Sequence, residues 1–131
     1  MVDDEEELRE LIRLVLEASG YAVAWARNGK EARRVLERSS FDVVLTDLLM
    51  PECDGLELIG ELVKNNPTVG IVAMSGGGHV AGEHYLQMAK SFGAHVLLSK
   101  PFSHEGLFAA VEQAWAGMSE LRAGLRAAPA P

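Results

Sequence analysis

The chain has 131 residues, 48% hydrophobic and 24% charged, which suits one globular domain and excludes a disordered chain, a collagen-like repeat or a disulfide scaffold. Its single cysteine, Cys53, precludes an intrachain disulfide, and 12 basic against 19 acidic residues give −7, the wrong sign for gripping nucleic-acid phosphates. No apolar run approaches the ~18 residues of a membrane span and the acidic front does not resemble a secretory leader, so a cytoplasmic domain with neither nucleic acid nor membrane as partner is expected.

Leu8, Leu11, Ile12 and Val15 recur at helical spacing, predicting a helix over about 5–19 that Gly20 stops. Tyr21 to Ala26 reads as a short strand. Asn28 with Glu31 three residues on resembles a capping box, opening a helix that buries Ala32, Val35 and Leu36. Phe41 to Thr46 is a β-branched apolar run ending at Asp47, the pattern of a fully buried strand. Turn residues from Met50-Pro51 to Asp54-Gly55 predict a loop, and Leu56, Ile59, Leu62 and Val63 a third helix closed by Asn66-Pro67.

Val69 to Met74 is a further buried strand, followed by the loop Ser75-Gly76-Gly77-Gly78. Tyr85, Met88, Ala89 and Phe92 form a fourth helical stripe ended by Gly93, and Val96 to Leu98 a short strand. After the Lys100-Pro101-Phe102 loop, Ser103 is placed to cap a last helix carrying Leu107, Val111, Ala114 and Met118. The Ala/Pro tail has linker composition, which divides the chain into a domain over 1–118 and an extension over 119–131. Helices alternating with continuously apolar strands predict an α/β fold, a parallel sheet covered on both faces.

Such sheets carry their chemistry beyond the carboxyl ends of the strands. Asp3 and Asp4 precede the first helix, Asp47 and Ser75 end strands, and Lys100 follows one. Three carboxylates brought together repel one another unless a cation lies among them, and an all-oxygen site with room for water and phosphate suits Mg²⁺. A carboxylate beside Mg²⁺ and a lysine can attack phosphorus and form an aspartyl phosphate, a reaction that depends mainly on positioning and charge neutralisation.

Four pieces, Val2-Asp3-Asp4-Glu5, Leu45-Thr46-Asp47-Leu48-Leu49-Met50-Pro51 with Asp54-Gly55, Ala73-Met74-Ser75 and Ser99-Lys100-Pro101-Phe102, stand in order at strand ends. With them the chain resembles, over about residues 2–118, the receiver domain of two-component response regulators. The resemblance implies a flavodoxin-like doubly wound sheet of order 2-1-3-4-5. It implies that Asp47 accepts a phosphoryl group from a histidine kinase or phosphotransfer protein and then changes contacts with a downstream protein. It also implies Mg²⁺ on Asp4, Asp47 and the backbone carbonyl of Leu49, with Asp3 acting through water. Ser75 would bind a phosphoryl oxygen and Lys100 would pair with the phosphorylated aspartate. Such a domain is a monomer or weak homodimer, and it catalyses only its own phosphotransfer and dephosphorylation rather than acting as an enzyme.

Three departures set further expectations. The family's first strand, about five residues long, is reduced to Met1-Val2, which leaves the first strand largely missing and implies a misassigned or trimmed start. A chain beginning at Met1 would need another segment or a second chain in that gap and would hold Asp3-Asp4 loosely. Leu97 stands three residues before the lysine, where the family usually carries Tyr or Phe, so the aromatic's hydrogen bond and its in–out swing are lost. Gly77 and Leu49 occupy positions that tune acyl-phosphate hydrolysis in the family, and neither can orient a water, which predicts slow autodephosphorylation.

The remaining features read as structural. Glu5 to Glu7 favour a helix start. His79, His84, His95 and His104 share no ligand spacing, Cys53 is a lone loop thiol, and Trp25 and Trp115 read as packing residues. A haloacid-dehalogenase-like phosphatase is the alternative that also uses an aspartyl phosphate, but it needs an aspartate where Leu49 stands. A nucleotide-binding module, suggested by Gly76-x-Gly78, lacks the acidic residue of a second βαβ unit.

Overall fold

The computed structural model describes residues 1–48, 55–76 and 87–118. The expectations placed on Leu49 to Asp54, on Gly77, Gly78, His79, His84 and Tyr85, and on the 119–131 tail lie outside the described residues. In chain order the elements are α1 (Glu6–Ala18), α2 (Gly29–Arg38), β1 (Val43–Asp47), α3 (Gly55–Asn65), β2 (Gly70–Gly76), the helical residues 87–92 (α4), β3 (Val96–Lys100) and α5 (His104–Ala116).

The strands pair in parallel in the order β1-β2-β3, with Asp47 opposite Met74 and Gly76 opposite Lys100. Alternation along them feeds two cores. Val44, Ile71, Ala73 and Leu97 face α2, α3 and α4, where Ala32, Leu58, Ile59, Leu62 and Ala89 pack. Leu45, Val72 and Met74 face α1 and α5, meeting Ile12, Leu16, Leu107, Val111 and Ala114. Helices on both faces of a parallel sheet are the doubly wound arrangement expected from the sequence.

The edge before β1 differs from the expectation. Tyr21 to Ala26 does not form a strand: its pairing is one parallel bridge between Ala26 and Val2, and Val2 bridges Thr46 on its other side. The order 26–2–46 repeats the 2-1-3 arrangement in single residues. The physical reason is local, since a ladder needs a partner of equal length and here Met1 to Asp3 supply the bonds: Ala26 N–H to Met1 O at 2.9 Å, Asp3 N–H to Ala26 O at 3.1 Å and Val2 N–H to Leu45 O at 2.7 Å. Alongside lie a cavity of about 30 Å³ against α2 and one of about 470 Å³ against α1 and α5.

Other boundaries shift for identifiable reasons. The buried stripe of α1 is Arg9, Ile12 and Leu16, while Leu11 is exposed and Leu8 and Val15 are half-buried. Val35 and Leu36 are half-buried and border the smaller cavity. Val63 lies exposed on α3. Trp25 and Trp115 sit on the surface rather than in the core, and both line the cavities beside Met1. The Asn28 side chain accepts from Glu31 N–H at 2.9 Å, but the Glu31 carboxylate accepts from Arg27 N–H, one residue earlier than a capping box requires. Ser103 caps α5 through Gly106 N–H at 2.9 Å.

Candidate functional site

The carboxyl ends of β1, β2 and β3 and the segment entering α1 converge on one edge of the sheet. Val2 O accepts from Asp47 N–H at 2.8 Å, which draws the Asp3-Asp4 turn against the end of β1. Asp3 is wholly buried, Asp47 and Ser75 are buried, Lys100 is partly covered and Asp4 is exposed.

Asp3 is tied to its surroundings by both its side chain and its backbone. Its Oδ1 accepts from Glu5 N–H at 2.9 Å and its Oδ2 from Lys100 Nζ at 2.8 Å. Its backbone carbonyl accepts from Arg9 Nη1 at 2.9 Å. Lys100 Nζ also lies 3.5 Å from Asp47 Oδ2 and 3.5 Å from Glu5 Oε1, so one ammonium spans the two buried aspartates. Burial pushes the Lys100 pKa down, but the hydrogen bond to Asp3 and the charges of Asp47, Asp3 and Glu5 outweigh it and leave the pKa raised.

Asp3, Asp4 and Asp47 each offer a carboxylate oxygen within 4.8 Å of the others. Oxygen-only, anionic donors suit a hard cation. With Mg–O distances of about 2.1 Å, oxygens around one Mg²⁺ lie up to ~4.2 Å apart, so small side-chain shifts close this cluster on the ion. The residues present therefore fit Mg²⁺. Both Asp3 oxygens already accept bonds from protein donors, which favours Asp4 and Asp47 as its direct contacts.

Each sequence-predicted site residue that is described lies at this edge. Asp47 ends β1, and Ser75 stands near the end of β2 opposite Ser99, one residue past Asp47's partner Met74. Lys100 closes β3 rather than following it, and its peptide bond to Pro101 is cis. Leu49, expected to offer its carbonyl, is outside the described residues. Leu97 is half-buried against the α3 core, opposite Ala73.

Three contributors escaped the sequence reading. Arg9 was legible as a cation at helical spacing with the buried Ile12 and Leu16. Glu5 keeps the surface exposure expected of a helix start yet reaches Lys100. Gly55, read as a loop residue, is the first residue of α3 and packs directly on Asp47. Its sequence signal, a glycine in a turn, does not distinguish close packing from a bend.

Comparison with known proteins accords with this geometry. The profile of the response regulator receiver domain matches residues 1–112. The transcriptional regulatory protein GlrR of Escherichia coli K12 is 33% identical over 114 residues, which cover 87% of this chain and 25% of that protein. This chain thus spans about a quarter of the length of that relative. The crystal structure of a response regulator receiver domain protein from Clostridium thermocellum superposes with a TM-score of 0.83 at 29% identity, covering 92% of this chain and 94% of that one. The solution structure of the beryllofluoride-activated NtrC4 receiver domain dimer gives 0.80 at 30% identity, covering 89% and 94%. These matches lend no support to a haloacid-dehalogenase-like phosphatase. With that profile matched over residues 1–112, this chain belongs to the response regulator receiver domain family.

Proposed function

We propose that Asp47 is a phosphoacceptor: a carboxylate oxygen attacks phosphorus of a phosphohistidine on a histidine kinase or phosphotransfer protein. The P–N bond breaks, a P–O bond forms, and the leaving imidazole nitrogen keeps the bonding pair and takes a proton from solvent. The observation that carries the reading is the Lys100 ammonium set between Asp3 and Asp47 beside the exposed Asp4. Asp4 and Asp47 would hold Mg²⁺ directly and Asp3 through water, and the ion when bound would neutralise charge on the arriving phosphoryl group. Lys100 pairs with the oxygens of the modified Asp47, and Ser75 receives another phosphoryl oxygen.

The chain acts through protein contact in the cytoplasm, and its only chemistry is its own phosphotransfer and slow loss of the phosphoryl group. Its downstream target is a protein, and the domain is a monomer or weak homodimer. Leu97 has no hydroxyl with which to report the change, so the readout passes through packing around α4 and β3.

Incubation with acetyl phosphate and Mg²⁺, followed by intact mass, tests this. Wild type gains one phosphoryl group, Asp47→Asn gains none, and Asp4→Ala needs more Mg²⁺. Labelling of Asp47→Asn equal to wild type overturns the assignment. A phosphoryl half-life of seconds contradicts the slow hydrolysis.

A further inference from the structure

Arg9 is a charged side chain only 7% exposed, on the inner face of α1. Its Nη1 donates to the Asp3 carbonyl at 2.9 Å, in a buried bond. The other side of the guanidinium meets the indole of Trp25, with its carbon 4.6 Å from the ring centroid. Trp25 is 48% exposed, so the indole lies between solvent and a buried cation. Burying a guanidinium is costly unless its donors and charge find partners, and here the Asp3 carbonyl and the face of the Trp25 ring serve as partners.

The carbonyl that Arg9 holds belongs to the peptide linking Asp3 to Asp4. Every other polar atom of Asp3 is also tied: N–H to Ala26 O, Oδ1 to Glu5 N–H and Oδ2 to Lys100. With the carbonyl fixed as well, the plane of that peptide is set, and with it the direction in which Asp4 leaves the backbone toward Asp47. We infer that Arg9 is a positioning residue for the cation site: it orients Asp4 through the Asp3 carbonyl, and Trp25 covers it. The inference rests on the proposed Mg²⁺ site, and it makes no contact of Arg9 with the ion or with phosphate.

Charge alone predicts the opposite sign. A guanidinium near three carboxylates repels an incoming divalent cation, so its removal by itself tightens Mg²⁺ binding. Positioning predicts weaker binding on removal, on the scale of about tenfold or more that lost outer partners of metal sites commonly cost.

Isothermal titration of the full chain with MgCl₂ separates the two. Arg9→Met binds Mg²⁺ at least about tenfold more weakly, with its circular dichroism and melting cooperativity retained. Arg9→Lys, which can still donate to the same carbonyl, recovers part of the affinity. Acetyl phosphate labelling of Arg9→Met returns to the wild-type rate at saturating Mg²⁺, since Asp47, Ser75 and Lys100 are untouched. A folded Arg9→Met that binds Mg²⁺ as tightly as wild type, or more tightly, overturns the inference. If Arg9→Met does not fold, Trp25→Leu carries the test: weaker Mg²⁺ binding supports the inference and unchanged binding overturns it. Absence of Mg²⁺ binding and of labelling in wild type would instead defeat the underlying reading of the site.

Discussion

Gly55 faces the carbonyl oxygen of Asp47 so closely that a β-carbon there would lie 2.1 Å from it and 2.7 Å from the Leu48 Cα. The first residue of α3 thus rests on the backbone that presents the acceptor carboxylate, and Gly55 N–H donates to Leu48 O at 3.1 Å. Both obstructing groups are backbone and cannot rotate aside. Gly55→Ala is therefore expected to lose about 1–3 kcal/mol of stability and to slow labelling of Asp47. Urea unfolding and intact mass check this, and a fully stable, normally labelled variant counts against the close approach.

Lys100 and Asp3 form the next test. Removing one partner of a buried pair leaves an uncompensated charge, and Asp3 is wholly buried. Lys100→Met is expected to cost about 3 kcal/mol, and adding Asp3→Asn to recover part of it. A double-mutant cycle by urea denaturation measures the coupling. The Lys100 pKa is raised, so its contribution is complete below the ordinary value of 10.5 and lost as pH climbs through the folded value.

His95 gives stability a dependence at mildly acidic pH. Its Nδ1 accepts from Ile71 N–H at 2.9 Å, which requires that nitrogen to be unprotonated, and burial lowers its pKa. The unfolded chain then binds the proton more readily. This contribution is present above the ordinary value of 6.5 and lost as pH falls below it toward the folded value. Urea midpoints at pH 8 and pH 5 should differ less in His95→Gln than in wild type. An equal drop in both removes His95 from the account.

Tyr21 and Glu112 tie the segment after α1 to α5 across the larger cavity. The hydrogen bond to Glu112 is the main reason that the Tyr21 phenol is pushed up to about 12, with burial and the carboxylate charge adding to it. Absorbance titration at alkaline pH should show this raised phenol in wild type and a return toward 10.0 in Glu112→Ala. A raised acid favours the folded state at low pH, so its contribution fades as pH rises from 10.0 through about 12.

Ile59 is fully buried in the core between the sheet and α3. Ile59→Ala should cost about 2–5 kcal/mol through lost contacts and an unfilled cavity, while exposed Val63→Ala on the same helix changes stability little. Chemical denaturation of the two variants side by side measures the contrast.

Local chemistry was sufficient wherever one residue type could do the work at its own position. Continuous apolar runs marked β1 and β2 within two residues, since a strand buried on both faces admits little else. Asp47, Ser75 and Lys100 announced themselves by ending such runs, and Asp3-Asp4 by preceding an amphipathic helix. What the tertiary structure alone decided is pairing across distance. Tyr21 to Ala26 has the composition of a strand, yet a strand exists only with a partner of matching length, and Val2 supplies a single bridge. Arg9 has the charge of a surface residue, yet the Asp3 carbonyl and the Trp25 ring draw it inward. Gly55 has the look of a turn, yet only the docking of α3 on β1 reveals that no side chain fits. Composition and periodicity report what each residue prefers alone, whereas ladders, buried ion pairs and close approaches depend on what the fold sets opposite it.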